Sequence, residues 1–266
     1  MALPLGLNRT WAYRRFIFGS VGQELRARYA GSLLGGLWVL LQPLALIVIY
    51  SVIFSSIMRP GLPDETRPFA YTVYLCSGLL LWMFFVELLT RSTGIFVQNG
   101  SLLKKVNFPR LALPIIALLS ALLNYAVIMG VFFVLLVIVG FLPGVVALSA
   151  LPIIAIAAGF AIGLGLACAT INVYYRDVEQ FVGIVTQLWF WLTPIVYPVT
   201  IVPERFHGFL MWNPIAPLVE AMHAIFMEGR VPIWSSLTVP AVTALASLLL
   251  GAWVYFRLGS DMTDEF

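Results

Sequence analysis

Apolar residues run along this chain in long uncharged stretches separated by short polar ones, and the lengths of those stretches say what they form. A helix advances about 1.5 Å per residue, so about 20 residues cross the roughly 30 Å hydrocarbon layer of a membrane. Leu33 to Met58 is an uncharged run of 26 residues; Phe69 to Val86 adds 18 more and reaches Thr90 if Glu87 is accommodated. Leu111 to Tyr175 holds no charged residue in 65 positions, and a single helix of that length would be about three times too long. The chain must reverse inside it, best at Gly140-Phe141-Leu142-Pro143-Gly144, where two glycines and a proline break helix. Phe181 to Pro203 follows, and Val231 to Phe256, bounded by Arg230 and Arg257, closes the set. The pattern predicts an all-α polytopic membrane protein, a single domain over 1–266 with six transmembrane helices at about 33–58, 69–90, 111–139, 145–173, 181–202 and 231–256.

Two further stretches are neither span nor loop. Over 8–32, Trp11, Phe18, Gly22, Leu25 and Tyr29 fall on one helical stripe, with Arg15 and Arg26 on one flank and Arg14 on the other. That predicts an amphipathic helix in the membrane interface with arginines reaching the phosphates; a plain basic leader that only sets topology is the other reading. Residues 204–227 are apolar but carry His207, Glu220 and His223 and are interrupted by Asn213-Pro214 and Ala216-Pro217, which predicts short helices that do not span.

Composition agrees. With 61% apolar and 10% charged residues and a mean hydropathy of +0.99, the chain is no water-soluble globule. A net charge of +3 gives no basic face for nucleic acid. Lys and Arg divide eleven to four between alternate connecting segments, which places both termini in the cytoplasm. Arg9, Arg14, Arg15, Glu24, Arg26 and Arg28 precede the first long apolar run, so no cleavable leader is expected. Cys76 and Cys168 read as packed thiols.

Candidate chemistry is sparse. The stretch 99–110 contains the only two lysines, Lys104 and Lys105, beside Leu102, Leu103 and Phe108. It is a topology determinant or, because exposed apolar residues mark partner sites, a contact for another protein. The short loop around Tyr174, Arg176, Asp177 and Val178 either caps helix ends or transmits force between two long helices. Glu87 is the one ionisable residue inside a predicted span, a polar helix end or an intramembrane carboxylate. Trp189, Trp191 and Tyr197 form an interfacial belt or line an aromatic conduit suited to a sliding sugar polymer. No phosphate loop, no Gly-Lys pair, no metal spacing and no nucleophile elbow is present, so any ATP used must be hydrolysed by another chain.

Six motifs in order carry a resemblance over nearly the whole chain. They are Tyr29-x-x-Ser32-x-Leu34-Gly35-x-x-Trp38 leading to Gln42-Pro43, Gly78-Leu79-x-x-Trp82-x-Phe84-Phe85-x-Glu87, Asn99 to Arg110, Asn172-Val173 to Arg176-Asp177-Val178, Thr193-Pro194-Ile195-x-Tyr197-Pro198, and Asn213-Pro214. In these the sequence resembles the membrane permeases of type-2 ATP-binding-cassette exporters, in particular those that export lipid-linked O-antigen, capsular or teichoic-acid polysaccharides. The resemblance implies a homodimer joined to two copies of a separate ATPase that binds ATP and Mg, with no cofactor on this chain, in the bacterial cytoplasmic (inner) membrane among its lipids.

By the same resemblance the ATPase would dock on the interfacial helix (Trp11, Arg14, Arg15, Phe18, Arg26) and on coupling segments 99–110 and 174–179 (Leu102, Lys104, Lys105, Phe108, Tyr174, Arg176, Asp177, Val178). Trp82, Phe84, Phe85, Trp189, Trp191 and Tyr197 would be channel aromatics. Residues 204–227, with Trp212, Asn213, Pro214 and Glu220, would be outer gate helices between spans 5 and 6. His223 stands where many relatives carry a basic residue, and no carbohydrate-binding extension follows Arg257. The substrate implied is an undecaprenyl-linked polysaccharide; a drug or small amphiphile, or a lipid-modifying membrane enzyme, is the alternative.

Overall fold

A computed structural model describes residues 13–29, 69–105, 110–203 and 212–259, with isolated positions at 37–38, 41, 44–45, 48–49, 205 and 208. The first expected span, 33–58, lies mostly outside the described residues, as do Trp11 and Phe108. Among the described residues all regular structure is helical: α1 (Arg14–Tyr29), α2 (Ala70–Gln98), α3 (Gly100–Lys105), α4 (Ala112–Val139), α5 (Ala150–Tyr174), α6 (Asp177–Trp191), α7 (Ala216–Phe226) and α8 (Thr238–Leu258). Short 3-10 turns at Gly144–Ser149 and Trp234–Leu237 lead into α5 and α8. Among the described residues four segments are long and apolar enough to cross a membrane: Ala70–Gln98, Ala112–Val139, Gly144–Tyr174 and Trp234–Leu258. The chain is a multi-pass membrane protein.

The long uncharged run reverses where Gly140 and Gly144 take φ values of 78° and 60°, a backbone that glycine adopts without a Cβ clash. α2 is the hub of the bundle, packing on α5, α4, α7 and α6, while α8 packs mainly on α5. α2 is apolar on most of its surface, with Val73, Leu75, Leu81, Phe85 and Leu88 all buried. Such a helix belongs in the middle. α4 and α8 instead leave Val134, Ile138, Val242, Leu249 and Trp253 exposed, the surface expected of helices that face lipid.

Two expected spans change their bounds. The second runs past Thr90 to Gln98, because Arg91 is paired inside the bundle and does not end the helix. The fifth, expected over 181–202, begins earlier at Asp177 and stops at Trp191. Its 15 residues make about 22 Å of helix, short of a crossing. Pro194, lacking an N–H, cannot continue the ladder, and the chain goes on irregularly to a 3-10 turn at Val199–Ile201.

Candidate functional site

Both segments expected to couple to a partner lie at one end of the bundle. Asn99 ends α2, its Nδ2 donating to the Ile95 carbonyl at 2.8 Å, and α3 follows at once with Leu103 buried, Leu102 half-buried and Lys104 exposed. Lys105 is the last residue of α3. The second segment is tied to the first through Asn172, whose Nδ2 donates to the Thr93 carbonyl of α2 at 3.4 Å while its Oδ1 accepts the Glu179 N–H at 3.2 Å. That N–H is one of the first-turn donors a helix leaves unpaired. Asp177 and Glu179 occupy the same turn, where the helix dipole favours negative charge.

The end of α8 is held at the same place. Tyr174 donates its hydroxyl to the Leu258 carbonyl at 2.7 Å, and Arg110 donates to the Gly259 carbonyl, so two residues of the coupling region cap the last carbonyls of α8. Arg176 and Asp177 are exposed and Val178 is half-buried against the core. An open groove of about 630 Å³ runs beside them along α6, lined by Arg176, Asp177, Glu179, Gln180, Gly183 and Gln187.

α1 lies against α4 with a face other than the stripe expected to meet the membrane interface. The face against the subunit is Ile17 and Val21, and Phe18 is 67% exposed. Its polar turns join the spans through a charge cluster that the sequence pattern does not reveal. Arg91 donates to Glu24 of α1 and, at 3.1 Å, to Glu87, which also accepts from Asn124 of α4 at 2.7 Å. Glu87 is thus no helix end: eleven residues of α2 follow it. Arg14 and Arg15 are exposed; Arg26 belongs to α1.

The aromatics divide in two. Trp82, Phe84 and Phe85 are buried within the subunit; Phe85 stacks on Phe160 at 5.4 Å and meets Trp189 edge-on at 5.7 Å, and Phe84 packs on Tyr125 at 4.8 Å. All three pack inside the subunit against other core side chains. Trp191 is exposed and Tyr197 half-buried.

At the other end of the bundle, Asn213 ties two motifs together. Its Oδ1 accepts from Trp189 Nε1 and from the Ile215 N–H, both at 3.0 Å, and its Nδ2 donates to the Leu192 carbonyl at 3.1 Å and to Thr193 Oγ1 at 3.0 Å. Leu192 is the carbonyl stranded where α6 breaks, and the buried amide satisfies it as irregular backbone at membrane depth requires. Tyr71 and Tyr74 donate to the Val196 and Tyr197 carbonyls at 2.6 and 3.0 Å, pinning the rest of the broken segment to α2.

Trp212 is 88% exposed and Pro214 half-buried beside this knot. On α7, Glu220 is exposed whereas His223 is buried, stacked on Tyr74 at 3.8 Å. Burial pushes the His223 pKa down to about 3, favouring the neutral imidazole. Among the described residues no group of three His, Cys, Asp or Glu has the makings of a metal site.

Comparison with known proteins fits this arrangement. The sequence matches the profile of the family described as ABC-2 type transporter over residues 17–227. It is 30% identical over 237 residues to an O-antigen export system permease protein, RfbA, of Klebsiella pneumoniae, covering 89% of each chain. A protein of the same description from Myxococcus xanthus is 30% identical over 262 residues, 98% of this chain and 97% of the relative. The polysialic acid transport protein KpsM of Escherichia coli is 28% identical over 244 residues, 88% and 89% of the two chains.

Proposed function

The chain belongs to the ABC-2 type transporter family, and from that premise we propose that it is the membrane-spanning permease subunit of a polysaccharide exporter. It is a transporter subunit and not an enzyme. Its cargo is an undecaprenyl-linked glycan of O-antigen type, carried from the inner to the outer face of the bacterial cytoplasmic membrane. Two copies of the six-span chain form the conduit, and two copies of a separate ATPase drive it, holding the ATP and Mg. Both termini are cytoplasmic, and 204–227 gates the outer side.

One observation carries the reading: α3, the loop 174–178 and the end of α8 lie together at one end of the bundle. A partner pressing there engages α2, α5, α6 and α8 at once. Lys104 offers a cation, Leu102 an apolar anchor, and Arg176 with Asp177 a pair of opposite charges for the same docking surface; Lys105 and Phe108 belong to the same coupling segment by sequence. The Lys and Arg bias puts that end in the cytoplasm, where ATP is. The broken segment knotted by Asn213 then lies towards the outer side, with Trp191, Trp212 and Tyr197 as the exposed or half-buried aromatics that meet the sugar chain.

Replacing Arg176 and Asp177 together by alanine tests this. The complex should still assemble and hydrolyse ATP, while surface glycan in a strain lacking the native gene falls by about tenfold or more. Unchanged export by this variant would remove the two residues from the mechanism.

A further inference from the structure

The cluster joining α1 to the spans has no place in the coupling surfaces described above, and its construction is specific. Glu24 offers Oε1 to Arg91 and Oε2 to Ser120 Oγ at 2.7 Å. Glu87 offers Oε1 to Arg91 at 3.1 Å and Oε2 to Asn124 Nδ2 at 2.7 Å. The result is one continuous chain of bonds, Ser120 to Glu24 to Arg91 to Glu87 to Asn124, across three helices. Glu87 and Arg91 are one turn apart on α2, and Ser120 and Asn124 are one turn apart on α4, so the two helices present matching rungs to the carboxylate of α1. Arg91 has 16% of its side chain exposed, Glu87 24% and Glu24 41%.

Stability alone is a poor reason for such a cluster, since buried ion pairs gain little over apolar packing of the same shape. What they supply is register: the charges are satisfied in one relative position of the helices and in few others. Arg91 stands nine residues before Gly100, the start of α3, which is about 14 Å along the helix. A push on α3 and a push on α1 therefore meet at Arg91.

We propose that Arg91, held between Glu24 and Glu87, is a positioning residue that locks α1 to α2 and α4, so that force applied to the interfacial helix and to α3 enters the spans as one motion. The inference rests on the exporter reading above. The bonding also ranks the partners. Without Glu24, Arg91 keeps Glu87 and remains neutralised, so α2 and α4 stay intact and only α1 is released. Without Arg91, two carboxylates face each other across the space its guanidinium fills. Glu24 is the latch and Arg91 its seat.

The test uses the full chain assembled with its ATPase in proteoliposomes, reading ATP hydrolysis and glycan translocation separately, with assembly and thermal unfolding as controls. Glu24→Gln is expected to leave ATP hydrolysis within about twofold of the unaltered complex while translocation falls at least about fivefold. Exchanging the charges, Glu24→Arg with Arg91→Glu and with Glu87→Gln to remove the second carboxylate beside the exchanged pair, should restore translocation to within about twofold, because the pair re-forms in reverse. Normal translocation by Glu24→Gln would overturn the proposal, as would parallel loss of assembly, hydrolysis and transport, or an exchange variant that assembles but fails to recover. Failure of the unaltered complex to move glycan would instead overturn the exporter reading, and the latch with it.

Discussion

Two seams in the bundle are made in opposite ways. Where α5 meets α8, Gly163 lies against the Ser247-Leu248 peptide and Gly251 against the Gly163 carbonyl, backbone on backbone, with Ser247 Oγ reaching the Phe160 carbonyl at 3.4 Å. Where α1 meets α2 and α4, contact is made by long charged side chains whose bonds span the gap. The first seam depends on dispersion between surfaces that fit only at one separation, as small residues at membrane helix interfaces do. The second depends on charges whose attraction reaches over several ångströms. A contact of the first kind fixes the separation of two helices; a contact of the second fixes their register.

The glycine seam is the easiest to break. A Cβ at Gly163 would overlap the α8 backbone, which has no side chain to swing aside. Gly163→Leu should force α5 and α8 apart and cost upwards of about 3 kcal/mol, the top of the range for overpacking. Folded, detergent-soluble protein would be largely lost, as seen by size-exclusion yield. Normal yield and melting temperature would show that the seam tolerates separation after all.

That seam also shows what a sequence of this kind withholds. Uncharged runs announce spans, and Gly140 with Gly144 announces the reversal, because length and backbone freedom are local properties. Gly163 and Gly251 are two glycines among 21, and nothing local says they face each other. The same holds for charge. Arg91 reads as the end of a span because a lone arginine is costly in lipid; its partner Glu24 lies 67 residues away, and Asn124, which donates to Glu87, lies 37 residues from that carboxylate. The stripe through Phe18 on α1 is real as a pattern, but a helix on a membrane surface has two apolar neighbours, lipid and protein, and spacing does not say which face meets which. Trp82 and Phe85 are open to the same confusion: the aromatic pattern is the same for packing inside a subunit, where both side chains lie, as for lining a conduit.

Asn213 stands between the two extremes, a polar contact with the fixity of the glycine seam. All of its side-chain hydrogen-bonding groups are used, and its donors hold Leu192 and Thr193 at the break in α6. Asn213→Leu should take these partners from the Leu192 carbonyl, Thr193 and the Trp189 indole N–H and lower stability by about 2–4 kcal/mol. Differential scanning fluorimetry in detergent would register this as a drop in melting temperature with the helix content unchanged. A shift no larger than that of an exposed substitution would mean that water or lipid headgroups replace the amide.

The smallest effect is expected from chemistry that looks identical to the latch. Arg230 donates to Glu228 in the turn after α7, with the two side chains 55% and 46% exposed, whereas Arg91 in the latch is 16% exposed. Water and salt screen the outer pair, and holding two flexible side chains together offsets most of the attraction, leaving about 0–0.5 kcal/mol. Arg230→Gln should therefore leave melting temperature and transport unchanged within error at physiological salt, while Glu24→Gln abolishes most transport. If Arg230→Gln proved as damaging as Glu24→Gln, burial would not be what distinguishes them. The force of the Arg91 cluster would then have to come from somewhere other than the low-dielectric surroundings that hold its three helices in register.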